Sequence, residues 1–182
     1  VHDFHMLYSE CMKQFRSIIG AVNVGMYQDI SCFARDYFGK GISRNKRMIF
    51  SAGKALPVSK NDRKILAAIA ENARTPVVAI AQATKLAAKT VVERLRILEE
   101  REIITGYRLH IDFSKLGMQY YKLHVRLRGG TPEEIRALRS LLLASPHVIY
   151  EDFVTGGYDI ELELEIESQD KIRELLSVAR SK

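Results

Sequence analysis

Hydrophobic positions change their spacing several times along the chain, and each change predicts an element. Over residues 59–72 (SKNDRKILAAIAEN) Ile65, Leu66 and Ile69 fall on one helical face, with Ser59 and Asp62 spaced as a capping box that uses the shorter acid. Residues 75–83 repeat the pattern through Val77, Val78, Ile80 and Ala81, and Thr75-Pro76 suits a helix cap and first turn. In residues 88–101 Val91, Leu95 and Leu98 recur at i, i+4 and i+7, which leaves Lys89, Thr90, Arg94 and Arg96 on other faces. Ile103-Ile104 and residues 107–109 flank Thr105-Gly106, the pattern of two short strands about a turn. Three helices and a flap over residues 59–112 make a winged helix-turn-helix, with residues 88–101 as the long third helix.

The C-terminal third changes period. Residues 120–128 alternate, with Tyr121, Leu123, Val125 and Leu127 on one side. Thr131-Pro132-Glu133-Glu134 opens a helix with a cap, a first-turn proline and two acids near the positive end of its dipole. Residues 147–155 and 158–167 read as strands around Gly156-Gly157; in the second, Ile160, Leu162, Leu164 and Ile166 alternate with four glutamates. Ser168 caps a last helix. Strand-helix-strand-strand-helix over residues 113–182 is a ferredoxin-like β-α-β-β-α-β unit without its final strand. The predicted fold class is therefore α+β.

The beginning of the chain reads as strand (residues 1–8), helix (9–19) and strand (22–27), the second half of such a unit over residues 1–38. Either an upstream copy is represented by its second half, which is the reading preferred here, or the two halves complement each other within or between chains. A start inside a strand without an initiating Met suggests that residues precede Val1. Residues 39–58 hold three glycines, Pro57 and five Lys or Arg counted from Phe38, a basic linker with one short strand near residues 48–50.

Composition narrows the function. With 47% hydrophobic and 27% charged residues the chain is ordinary for a globular protein, and no apolar run approaches the length of a bilayer span. Cys11 and Cys32 cannot form a disulfide framework and match no metal spacing, which predicts reduced thiols and a cytoplasmic protein. A formal charge of +6 and a pI near 9.3 suit a polyanion such as double-stranded DNA. His110, His124 and His147 are scattered and no nucleophile triad, metalloprotease or phosphate-loop spacing occurs, so binding rather than catalysis is expected, with no cofactor.

These residues carry a family resemblance. Asp62-Arg-Lys-Ile-Leu, Asn72-Ala-Arg-Thr-Pro, residues 89–100 (KTVVERLRILEE), Ile103-Ile-Thr-Gly-Tyr-Arg, Lys115-Leu-Gly and Val154-Thr-Gly-Gly-Tyr-Asp occur in the order found in the Lrp/AsnC (feast/famine) regulators of prokaryotes. From Ser59 to Lys182 the chain resembles that family, and Tyr27-Gln-Asp-Ile with Arg35-Asp-Tyr resembles the end of a further effector domain. The resemblance implies a transcription regulator that reads DNA with its third helix, senses a small molecule such as an amino acid, and assembles sheet to sheet into dimers or larger homo-oligomers. Three residues depart from it: Lys85 where the turn usually has Gly, Ala87 where Ser or Thr caps the reading helix, and Val92-Glu93 where basic or aromatic residues are common.

Candidate DNA contacts are Lys89, Thr90, Arg94 and Arg96 on the reading helix, Arg108 in the wing and Arg74 before the second helix. Arginine can grip a guanine edge, while Lys and Thr hold phosphates. A helix-surface pair of Arg96 with Glu99 competes for that guanidinium. Gly156, Gly157, Tyr158 and Asp159 are the candidate effector site: paired glycines let amides approach a carboxylate, and Asp159 is placed to receive an α-amino group. The alternative is a ferredoxin-like metabolite-binding or oligomerisation module whose DNA-binding unit is weakened. It would self-associate or bind an amino acid without shifting DNA.

Overall fold

A computed structural model describes residues 2–38 and 47–180, with side chains for 5–38 and 47–177. The chain begins with α1 (His2–Phe15), a helix where a strand followed by a helix was expected. Residues 4, 7, 8, 11 and 15 are apolar or weakly polar at helical spacing, and that period prevails over the apparent alternation of residues 1–8. Most of its described apolar side chains face solvent: Leu7 is 72% exposed. The first strand, β1 (Met26–Cys32), begins four residues after the start of the predicted one and overlaps its end, and β2 (Arg47–Ser51) overlaps the short strand foreseen in the linker. The rest of the predicted basic linker, residues 39–46, lies outside the described residues.

Three helices follow as expected: α2 (Lys60–Ile69), α3 (Val77–Thr84) and α4 (Ala88–Glu100). Ile65, Ile80 and Val91, one from each helix, are buried together, with Ala68, Val77, Leu86 and Leu95 packed around them. The capping box at Ser59 is present in both directions. At α3 the cap position is Pro76, without a side-chain bond, and the Thr75 hydroxyl donates to the Asn72 carbonyl instead. Neither strand of the predicted wing forms: residues 103–112 are irregular. Glu102 turns the chain at φ 54°, Ile103 and Ile104 both donate to the Leu98 carbonyl, and the pairing partners a hairpin needs are thereby drawn back onto α4.

The remaining elements are β3 (Gln119–Val125), α5 (Pro132–Leu143), β4 (Val148–Thr155), β5 (Ile160–Ile166) and α6 (Gln169–Arg180), all close to their predicted spans. The five strands form one sheet in the order β2-β1-β4-β5-β3, and every neighbouring pair is antiparallel. β3, β4 and β5 with α5 and α6 are the expected ferredoxin-like arrangement. Ile160, Leu162, Leu164 and Ile166 turn to the helix side with Leu142, Val148 and Phe33. β1 pairs with residues 150–155 of β4 and extends this same sheet. The N-terminal strands thus lie on the β4 edge of the sheet. The β3 edge, where a last ferredoxin-like strand would lie, carries no strand among the described residues. None of the described helices is long and apolar enough to cross a membrane.

Candidate nucleic-acid interface

The α4 helix has two faces set by its periodicity. Val91 and Leu98 are fully buried, while Lys89, Thr90, Val92, Glu93 and Arg96 are exposed. Its approach is a tight turn. Lys85 caps α3 in the left-handed region (φ 57°, ψ 40°) and its N–H bonds back to Ala81 and Gln82 carbonyls, as the missing glycine foreshadowed. A side chain in that region costs on the order of 1 kcal/mol. Ala87 precedes α4 and supplies no side-chain bond, so the first-turn amides of the reading helix have no hydroxyl cap.

Arg94 does not project from the bundle. Its Nε donates to Asp62 Oδ1 at 2.7 Å and its Nη2 to Asp62 Oδ2 at 2.5 Å, so the two planar groups meet in a fork. Asp62 is fully buried, and also accepts from the Ser59 amide and hydroxyl at 2.9 and 2.7 Å. Hydrogen bonds from the Arg94 side chain, then from Ser59, overcome burial and hold the Asp62 carboxyl well below the usual carboxylate range. Spacing along α4 offers Arg94 to the groove, because spacing alone does not reveal that α2 brings a buried acid beneath it. Its role here is to lock the start of α2 to the middle of α4.

Arg96 lies on the solvent side with both ends of its guanidinium engaged: Nη2 donates to Glu93 at 2.8 Å and Nη1 to Glu100. The expected partner Glu99 instead accepts from the Tyr107 hydroxyl at 2.6 Å, which pushes that phenol up to about 12. Arg108 has turned from the wing to the sheet: its guanidinium lies 4.6 Å from the centre of the Tyr150 ring and donates to the Tyr150 hydroxyl. Lys89, Thr90 and Arg74 remain exposed. The Arg47 guanidinium of β2 lies against Gly106, whose φ of +150° is one that residues with a β-carbon rarely adopt. No sequence signal marks Arg47; only folding brings β2 beside the residues of the predicted wing.

The candidate effector residues are occupied by the chain itself. Asp159 accepts from the Leu127 amide at 2.8 Å, and the Tyr158 amide donates to Glu161 at 2.9 Å. The Tyr158 ring stacks on His124 at 4.3 Å between centroids, with the Arg126 guanidinium 5.1 Å away. Gly156 has φ +83°, and a β-carbon there would stand 2.9 Å from the Val24 carbonyl oxygen. A β-carbon on Gly25 would meet Val154 at 2.6 Å. The β4–β5 hairpin and residues 24–25 are therefore in close backbone contact, something no local pattern predicted.

The sheet face away from α5 and α6 is a charged network. Lys122 reaches Asp152 at 2.9 Å and lies within 3.5 Å of both Glu161 and Glu163. Arg35 makes a two-toothed contact with Glu165 at 2.8 and 2.9 Å, and Tyr37 donates to the same carboxylate. Burial favours a neutral Glu165, but the bonds from Arg35 and Tyr37 outweigh it and lower its pKa. No group of three or more metal-ligating side chains is found among the described residues.

Comparison with known proteins agrees with this geometry. Residues 58–105 match a family model described as winged helix-turn-helix DNA-binding. The chain is 30% identical over 108 residues to the proline dehydrogenase transcriptional activator of Rhodobacter capsulatus, covering 59% of this chain and 70% of that protein. It is 28% identical over 116 residues to the regulator AldR of Mycolicibacterium smegmatis, covering 63% and 68%. Among solved structures it resembles Escherichia coli AsnC (TM-score 0.56, 24% identity, 66% and 80% of the two chains). It also resembles a Neisseria meningitidis transcriptional regulator solved with L-Met (TM-score 0.57, 21% identity, 66% and 78%). At those identities the structural likenesses show the fold alone. With a winged helix-turn-helix joined to the expected sheet domain and relatives of this kind along most of that span, the chain belongs to the Lrp/AsnC family of DNA-binding transcription regulators.

Proposed function

We propose that the chain binds double-stranded DNA through the exposed face of α4, with Lys89 and Thr90 at its start as the principal phosphate contacts. The observation that carries this reading is the uncapped N-terminus of α4 beside exposed Lys85 and Lys89. Free first-turn amides and nearby ammonium groups suit a phosphate oxygen. Arg74 adds a further exposed cation before α3. Arg94 is a positioning residue rather than a contact. Arg96 reaches DNA only by leaving Glu93 and Glu100, and Arg108 only by leaving Tyr150. The test is the salt dependence of binding: Lys89→Ala should reduce the slope of log K against log salt by about one unit, with the fold unchanged by circular dichroism. An unaltered slope would remove Lys89 from the interface.

Regulation is proposed to come from an amino acid acting at the β4–β5 hairpin, and assembly from a second copy covering the charged sheet face, on which Tyr27 and Phe50 stay 40% and 44% exposed. The likeness to the N. meningitidis regulator supports the effector class. A second reading, a module with weakened DNA binding, is favoured by Lys85, Ala87 and the Glu93–Arg96–Glu100 pairing. Self-association or amino-acid binding with no DNA shift at moderate salt would select it.

A further inference from the structure

We propose that Val92 is a specificity-determining residue that reads the methyl group of a thymine in the major groove. The inference rests on α4 being the DNA-contacting helix, and goes beyond it by naming what that helix recognises. Lys89 is three and four residues before Val92 and Glu93, and these are four and three before Arg96, so the four side chains form one exposed patch away from the buried Val91 and Leu98, with Val92 on its flank. At about 1.5 Å per residue the patch spans about 10 Å, the rise of about three base pairs.

Within that patch the polar groups are already committed. Glu93 and Glu100 hold Arg96 from both sides, so its fork is not offered to a guanine edge. Lys89 lies at the helix start, where phosphates are met. Val92 is the apolar member, 53% exposed, and it is not among the residues of the three-helix core. A β-branched side chain at an exposed mid-helix position lowers helix propensity and gains nothing from burial. In the major groove its two methyls match the one apolar feature a base pair presents, the thymine C5-methyl.

The experiment begins with duplexes selected by the full chain from a randomised pool, and replaces each thymine in turn by uracil, which removes the methyl and keeps the pairing. Wild-type protein should lose about three- to five-fold in affinity at one thymine per half-site and little elsewhere. Val92→Ala should bind the thymine duplex weaker by a similar factor and be indifferent to uracil at that position. Val92→Thr, which keeps one methyl, should retain part of the discrimination. Binding by wild type that no uracil substitution alters would overturn the assignment while leaving DNA binding intact. An equal uracil effect in wild type and Val92→Ala would do the same. Failure to retain any DNA from the pool would overturn the underlying reading of α4 as well.

Discussion

Asp62 and Arg94 show how one long-range contact reverses a residue's role. Position 94 is charged and helical, and read locally it points to DNA; the buried carboxylate of α2 claims it. Removing the arginine leaves a buried anion without its main partner, so Arg94→Ala should lower the unfolding free energy measured by urea titration. For the protein still folded, the salt slope of DNA binding should stay as in wild type. The same pair governs acid stability. Because the Asp62 carboxyl is held below its ordinary value in the folded chain, its contribution is fully present above about pH 4 and is lost as pH falls through that range toward the lower folded value. Asp62→Asn, already destabilised at neutral pH, should therefore show a flatter loss of stability between about pH 4 and pH 2. An acid limb of wild-type steepness would show that other carboxylates dominate it.

Among the elements, the turn between α3 and α4 departs most from the residues a helix-turn-helix favours, and it forms nonetheless. Lys85 adopts the left-handed conformation because its N–H and that of Leu86 close on the last carbonyls of α3 while Leu86 packs into the core. Tertiary packing outweighs a local penalty of about 1 kcal/mol. Lys85→Gly should relieve part of that strain, and Ala87→Ser should add a cap worth about 1 kcal/mol. Together they should raise the melting temperature by several degrees, measured by calorimetry. No gain from Ala87→Ser would mean that the first-turn amides are already satisfied. The wing is the opposite case: strand-forming residues are present, but Ile103 and Ile104 are bonded to the end of α4 and half-buried there.

For the whole molecule, the decisive feature is that N-terminal strands complete the sheet on the β4 edge and bring residues 24–25 against the hairpin proposed for the effector. An amino acid entering at Gly156-Gly157 has to displace this segment, so part of its binding free energy is spent on opening the site. Removing residues 1–25, which leaves β1 in place, should raise the affinity for a probe such as L-Met several-fold in titration calorimetry. Equal affinities for the full and shortened chains would show that the segment does not guard the site. Absence of binding by both, across a panel of L-amino acids, would refute the proposed effector class. Contacts between the sheet and the DNA-binding unit include Arg108 on Tyr150 and Arg47 beside Gly106.

Periodicity alone determined α2, α3, α4, α5, β4 and β5, because each buries one face against a core and that face is written at intervals of two or three to four residues. The same spacing separated Val91, Leu95 and Leu98 from the residues available to DNA. Tertiary structure decided which of those residues are free: Arg94 answers to an acid 32 residues away, Arg96 to two glutamates, and Arg108 to a tyrosine of the sheet. It also decided where the N-terminal strands belong, since an edge of backbone amides and carbonyls accepts any strand of suitable register, and no side-chain pattern states which edge that will be.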